Sequence, residues 1–438
     1  MIDDHVRRRI FDKIDEKKDE MIGFLRELVR TPSVTGYEKD AQRLVAEKFS
    51  GIGLELDIFD ADEVKGLKEH PGYFETTAYQ QVGYKDRPNV VGKVRGLGGG
   101  RSLILNGHID VVPPDPIEAW KYNPWEGVVE NGRVYGRGAM DMKGGIAVMT
   151  YVLKGISELG IKLKGDLILE TTIEEEAGGV GGVLATILRG YTANAAIFVE
   201  PHYSYIEVAS AGILYFRVRV PGVTAHAYQA HLGVNAIVKT MKICEALTRL
   251  NEERQKRISY PYAENLASHM KRHATTLNIG KIKGGDWPSS VPGWVDLECR
   301  VGYPPGEDLR DVMKEIEETV RETAAKDSWL KDHVPKVEWF GWRSRPHEQD
   351  VNHPIVKMVK EYAEEVIGQP IKFCGGFAGN DARFFVLYAN VPAVLFGPTG
   401  KNGHGTDEYV EIDSMIGAGR VLALTVLDWC GFEYNGRT

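Results

Sequence analysis

The sequence predicts an α/β protein of two domains: a mixed central sheet flanked by helices, interrupted by a smaller inserted α+β domain. Three observations carry this. At 438 residues the chain exceeds the size at which a single hydrophobic core keeps growing. Short apolar runs that stop at polar turns, 102–105, 166–170 and 392–396, read as strands buried on both faces, as parallel strands are. From Ala209 the pattern changes to alternation. Leu214, Phe216, Val218 and Val220 fall on one face and Tyr215, Arg217 and Arg219 on the other, which is the mark of a half-buried antiparallel strand.

Apolar residues at helical spacing, Val6, Ile10, Ile14, Met21, Leu25 and Leu28, predict a helix over 4–29 that Pro32 ends. A second amphipathic helix follows over 38–49, then a strand over 54–59. Residues 60–88 form a longer connection than compact α/β units need, so this stretch either shapes a site mouth or an interface or is a surface elaboration. His70 within it reads as an exposed loop residue. A strand over 89–94, the strand leading to His108 and a helix from Gly145 through Leu159 complete the first part. Beyond the alternating strand come a helix over 233–250, strands over 275–281 and 294–301, a helix over 309–324 and a strand over 335–342. Strand-helix-strand-strand-helix-strand is the ferredoxin-like order. The predicted boundaries are 1–209 and 345–438 for the first domain, and 210–344 for the insert. The first domain resumes with a helix over 354–367 and the strand over 392–396.

Composition narrows the function. A formal net charge of -8, with 43% hydrophobic and 26% charged residues and no basic stripe, argues against a nucleic-acid binder. Cys244, Cys299, Cys374 and Cys430 are scattered with no C-x-x-C spacing, as expected of reduced thiols in a cytoplasmic protein. The first twenty residues are charged throughout, so no secretory signal is expected. No apolar run approaches membrane-spanning length.

The chemistry-bearing residues gather at strand ends, where adjacent loops of an open α/β sheet splay apart and ligands bind. His108 and Asp110 stand in the turn after 102–105, and Asp141 lies about thirty residues on, in GRGAMDMKGG, just before a helix. A His-x-Asp turn alone is an ordinary hydrogen-bonded loop, although neutral imidazole with a nearby acid is also a metal-ligand arrangement. Glu174, Glu175 and Glu176 follow another strand, Glu200 a third, and His404 and Glu408 sit in the Gly-rich loop after a fourth. Four strand ends, each supplying an imidazole or carboxylate, read as a metal centre rather than as solvated loops.

These motifs, in this order, resemble the zinc aminoacylase and carboxypeptidase family of acetylornithine deacetylase and succinyl-diaminopimelate desuccinylase, over nearly the whole chain. The resemblance implies a zinc-peptidase-like catalytic domain, with the ferredoxin-like insert as a lid and dimerisation domain. It implies two Zn2+ ions, with Co2+ or Mn2+ as substitutes. One would be held by His108, Asp141 and Glu200, the other by Asp141, Glu176 and His404. Glu175 would be the general base, Glu174 the less restricted acid of the motif, and Asp110 the partner of the second ring nitrogen of His108. A cis peptide is implied at Asp141-Met142. Glu408 would orient His404 or neighbouring backbone.

In the insert, the resemblance implies that His226 contacts the substrate carbonyl oxygen from the partner subunit of a homodimer, as part of an oxyanion hole. His231, off the motif, is structural. Arg300 would bind a substrate carboxylate, for which a planar guanidinium is suited, or serve as a salt-bridge partner. Asn235 is a cap, a turn organiser or a substrate contact. Downstream, Gly375 and Gly376 would let backbone approach a ligand closely, and Asp381 and Arg383 would organise that loop or touch substrate. Asn380 departs from the family's Thr there. Asn123 and Trp125 depart from its W-x-x-D-P-F, where Trp120, Pro124 and Trp125 read as props for the site, with stacking on substrate as the sharper alternative.

The implied reaction is hydrolysis of the amide of an N-acyl amino acid by metal-activated water with Glu175 as base. Dipeptidase or carboxypeptidase action, or hydrolysis of a formylated or carbamoylated amine such as a salvage pyrimidine, are the alternatives. A non-catalytic homologue is disfavoured because every ligand position and the base are filled.

Overall fold

The computed structural model describes residues 2–265 and 273–434 and divides the chain into two compact units, one of Met1–Val208, Gln349–Phe373 and Asp381–Thr438, the other of Ala209–Glu348 and Cys374–Asn380. The segment Cys374–Asn380, expected in the first domain, belongs to the second unit for a hydrogen-bonding reason. Gly376 N–H donates to the Ala209 carbonyl at 2.9 Å and Ala211 N–H to Ala378 at 2.7 Å.

The first unit is built on an eight-stranded mixed sheet in the order Glu55–Asp60, Pro88–Val94, Leu167–Thr172, Leu103–His108, Ala196–Phe198, Ala393–Leu395, Tyr205–Glu207 and Lys372–Cys374. The third to sixth of these are mutually parallel, and Pro88–Val94 and Tyr205–Glu207 run antiparallel beside them. Every residue of Leu103–His108 and Leu167–Thr172 is buried, and their first three residues, 103–105 and 167–169, read as continuous apolar runs. Helix Gly144–Glu158 packs against Ile412–Cys430, and both are buried almost all round. The predicted helix over 4–29 is two helices, Asp4–Glu16 and Lys18–Arg30, joined at Lys17. The Lys17 ammonium lies 2.9 Å from both Glu20 and Glu158, a contact with a distant helix that no local spacing encodes.

A second, four-stranded antiparallel sheet, ordered Gly400–Lys401, Tyr409–Glu411, Arg133–Tyr135 and Val128–Glu130, frames two of the motifs. The loop joining its first two strands carries His404 and Glu408. Asp141 follows Arg133–Tyr135.

The second unit has the sheet order Thr276–Gly284, Trp294–Tyr303, Gly212–Pro221 and Lys336–Arg343, all antiparallel. With helices Ala236–Arg257 and Leu309–Ala325 as the connections, this is the ferredoxin-like fold. Leu214, Phe216, Val218 and Val220 are all buried in its core with Ile243, Leu247, Val312 and Ile316 from the two helices.

Candidate metal centre

The four parallel strands are neighbours in the sheet, so their carboxyl ends converge and bring together residues separated by up to three hundred positions. His108 ends one strand, and its Nδ1 lies 2.9 Å from the Asp110 backbone carbonyl. A carbonyl only accepts, so Nδ1–H donates to it, and Nε2 faces the carboxylates. That Nε2 is 3.2 Å from Asp141 Oδ1 and 3.7 Å from Glu200 Oε1. On the other side His404 Nε2 is 3.4 Å from Asp141 Oδ2 and 3.0 Å from Glu176 Oε1. The two oxygens of one aspartate thus face two different imidazoles. The Asp141-Met142 peptide is cis.

Asp110 meets more than the His108 ring. Its carboxylate is 3.6 Å from His108 Nδ1, and its backbone carbonyl takes that hydrogen bond instead. The carboxylate accepts the N–H groups of Glu175 at 3.0 Å and Glu176 at 3.2 Å, and the Thr35 hydroxyl at 2.9 Å. Glu175 is buried, and among the described residues no side chain donates a hydrogen bond to its carboxylate.

The electrostatics are those of too many acids in one place. Burial pushes Glu175 and Glu200 well above the ordinary carboxylate range, against the pull of His108, and pushes Glu176 up against the pull of His404. Burial also works to raise Asp141, but the hydrogen bonds from His108 and His404 hold it far down. Hydrogen bonds to Asp141 and Glu176 push His404 up to about 11. Among the described residues no lysine or arginine pairs with Asp141, Glu176 or Glu200. Ligand atoms of His108, Asp141 and Glu176 lie within 4.8 Å of one another. Two imidazoles and three carboxylates without a cationic side chain are a donor set that fits divalent cations.

Surrounding residues hold this arrangement, and two of them, Arg137 and Lys143, were not singled out in the sequence. Glu408 accepts the backbone N–H groups of Gly138, Met140 and Asp141 at 3.0–3.1 Å and pairs with buried Arg137 at 2.5 Å, so of the two roles expected for it the structure shows the contact with neighbouring backbone. Lys143, fully buried and pushed down to about 7 by that burial, donates to the carbonyls of Leu28 and Thr31. Arg137 stands over the Trp120 ring at 5.2 Å and the Lys143 Nζ over the Trp125 ring at 6.0 Å. Arg383 donates to the Gly178 carbonyl at 2.5 Å, and the Asp381 carboxylate fills the space a side chain at Gly179 would need, where φ is +60°. Both therefore organise the turn after Glu176. Burial raises Asp381 to about 6.

The remaining predicted residues are on the second unit. His226 is exposed, and its Nδ1 accepts the Tyr228 N–H at 3.3 Å. Asn235 caps the helix Ala236–Arg257, with Oδ1 accepting from Ile237 at 2.9 Å and Val238 at 3.3 Å. Arg300 is half-buried with no carboxylate partner among the described residues, and burial lowers its pKa. A side chain at Gly376 would meet the Tyr260 ring of the same unit, and one at Gly375 the backbone of Ala209.

The model of peptidase family M20/M25/M40 matches residues 104–428, which is most of the chain. The chain belongs to this family. It is an M20/M25/M40 enzyme, a hydrolase of amide bonds. At full length this family member is similar to N-formyl-4-amino-5-aminomethyl-2-methylpyrimidine deformylase of Halalkalibacterium halodurans, 28% identical over 443 residues covering 95% of this chain and 96% of the relative. Its fold is similar to that of the dipeptidase Dug1p from Saccharomyces cerevisiae, with a TM-score of 0.79 at 15% identity over 97% and 99% of the two chains. A dinuclear metal binding M20 peptidase from Bacillus subtilis shares the fold at a TM-score of 0.62 and 15% identity, over 95% and 99%.

Proposed function

We propose that this M20/M25/M40 enzyme is a two-cation hydrolase that removes a small acyl group, formyl first among them, from an amine. The observation that carries the two-cation reading is Asp141, whose Oδ1 faces His108 and whose Oδ2 faces His404. His108, Glu200 and Asp141 would hold one cation and His404, Glu176 and Asp141 the other. The imidazole and carboxylate donors suit Zn2+ and accept Co2+ or Mn2+. When bound, the cations supply Lewis acidity towards the amide carbonyl and towards water.

The chain's own residues do the rest. Glu175, unligated and held in place through its backbone N–H by Asp110, accepts a proton from water as the water oxygen bonds to the carbonyl carbon. It returns that proton to the nitrogen as the C–N bond breaks. His226 accepts at Nδ1, so its proton sits on Nε2, which can donate to the carbonyl oxygen as negative charge develops there. The resemblance supplies that role from a partner subunit. Exposed Ile237, Val238 and Met241 on one helix, with Ile282 on the edge strand and Trp287 beyond it, support a homodimer through this unit. Cys244, Cys299, Cys374 and Cys430 form no disulfide among the described residues, which suits a reducing cytoplasm, and no described helix is long and apolar enough to cross a membrane.

The formyl preference follows the full-length relative. A second reading, an N-acyl amino acid substrate as for acetylornithine deacetylase, is favoured by Arg300, a half-buried guanidinium without a carboxylate of its own. The test is hydrolysis by zinc-loaded protein of N-formyl-4-amino-5-aminomethyl-2-methylpyrimidine beside N-formyl, N-acetyl and N-succinyl amino acids and dipeptides. Chelator-sensitive formate release strongest on the pyrimidine supports the first reading, and strongest turnover of an acylated amino acid supports the second. Zinc bound with no amide cleaved across the panel would overturn both.

A further inference from the structure

The stretch 60–88, longer than the connection needs to be, ends on the catalytic turn. Thr76 caps the short helix Thr77–Val82, accepting the Tyr79 N–H at 2.9 Å, and its hydroxyl donates to Glu174 Oε1. The Tyr84 hydroxyl donates to Glu174 Oε2 at 3.1 Å, and the Gly181 N–H reaches the same oxygen at 2.9 Å. Arg87 stands 3.6 Å from Glu174 and forks onto Glu38 through two hydrogen bonds of 2.8 Å. Thr76, Tyr84, Arg87, Glu38 and Glu174 are all buried.

Glu174 itself has φ +69°, the left-handed region that a residue with a side chain seldom occupies. Its carbonyl accepts the N–H groups of Ala177 at 3.1 Å and Gly179 at 2.7 Å, closing the turn that carries Glu175 and Glu176. Left-handed backbone at a non-glycine persists where surroundings impose it, and here the surroundings are the side-chain contacts made by 60–88. Earlier in the same stretch His70, expected to be exposed, is half-buried and meets the Tyr388 ring edge-on at 4.9 Å.

We propose that the 60–88 segment is a positioning strap for the general base: Thr76 and Tyr84 hold the Glu174 carboxylate, and the left-handed backbone of Glu174 sets the direction in which Glu175 leaves the strand. This rests on Glu175 being the base. Thr76, Tyr84 and Glu174 are positioning residues, since they act through the turn and not on the reacting atoms. Asp110 holds the same turn from its N–H side, so the base is fixed between two independent anchors.

Tyr84→Phe removes one donor at nearly constant volume, Thr76→Val removes a donor together with the cap on the Tyr79 N–H, and Thr76→Ser keeps both. In the metal-free protein, amide exchange in the peptide spanning 173–181 should quicken about 10-fold or more in the first two variants, while Ile412–Cys430 exchanges as in wild type. With zinc restored and formate release from the formylated pyrimidine as readout, kcat should fall about 10- to 100-fold with KM and bound zinc unchanged. Thr76→Ser should recover most of the loss. If Tyr84→Phe does not fold, Thr76→Val carries the same test. Wild-type exchange across 173–181 overturns the strap. Faster exchange with loss of zinc at constant kcat per bound metal overturns the assignment to Glu175 and places the effect on Glu176. A wild-type chain that cleaves nothing, or a Glu175→Gln variant with full turnover, defeats the base reading, and the exchange result then decides the strap alone.

Discussion

The Asp110 carboxylate accepts the backbone N–H of Glu175 at 3.0 Å, so the acid two residues after a candidate ligand histidine serves a turn sixty-five residues away. Its second oxygen takes the Glu176 N–H and the Thr35 hydroxyl. Asp110→Asn would set an amide N–H2 against one of those donors. Groups that orient metal ligands commonly cost about 10- to 100-fold in affinity or activity when changed, and that loss is expected here. Zinc titration and kcat measured together would show it. Wild-type values for both would mean that the turn does not depend on Asp110.

Glu175 and His404 should separate cleanly. Glu175→Gln removes the proton acceptor and leaves every donor atom to the cations, so kcat should drop about 10²- to 10⁴-fold with bound zinc retained. His404→Ala removes a donor 3.0 Å from Glu176 and 3.4 Å from Asp141 and should lose metal after dialysis. Metal analysis of both variants beside turnover is the check. The reverse pattern would exchange their roles.

Arg137 and Glu408, both buried, form an ion pair whose carboxylate also serves three backbone N–H groups. Glu408→Ala would strand a buried guanidinium, and removing one partner of such a pair costs about 3–5 kcal/mol. Urea unfolding of the metal-free protein measures this without reference to catalysis. A loss below about 1 kcal/mol would show that water or neighbouring groups rescue Arg137.

Glu170 makes a pH prediction away from the cation ligands. It lies in the middle of the sheet, accepts from Asn106 at 3.0 Å and Thr186 at 3.5 Å, and leaves Oε1 without a partner. Burial pushes it up to about 7. The folded chain therefore keeps a proton that the unfolded chain releases near the ordinary glutamate value. Its contribution to stability is full below about pH 4.3, is lost as pH rises towards 7, and stays lost above. Glu170→Gln keeps the neutral form at every pH and should be more stable above pH 7 by about 3 kcal/mol. Unfolding curves from pH 5 to 8 on metal-free protein test the slope. Equal slopes in both proteins would refute it.

Met241 and Trp287 are 60% and 68% exposed on the second unit. If that surface pairs with its copy, Met241→Glu or Trp287→Glu should convert a dimer to a monomer by light scattering, with the fold retained by circular dichroism. A dimer that survives both changes uses another face.

By itself the sequence determined the elements whose signals are local. Runs such as Leu103–Leu105 and Leu167–Leu169 announced strands covered on both faces, and the alternation from Leu214 to Val220 announced the antiparallel insert. His108, Glu174–Glu176 and Glu200 could be picked out because each follows an apolar run and His404 because it lies in the Gly-rich loop after another, while the separate roles of Glu175 and Glu176 were legible only through the family resemblance. Only the tertiary structure decided which groups meet. It broke the first helix at Lys17, aimed Asp110 at the Glu175 turn and paired Arg137 with Glu408 across 271 positions. It also joined 60–88 to Glu174, and gave the space beside Gly376 to Tyr260. The physical reason is range. Burial of a strand or a helix face imposes a repeat of two or of 3.6 residues that any short window reveals. A buried polar group needs one particular partner, and the fold can bring that partner from anywhere in the chain.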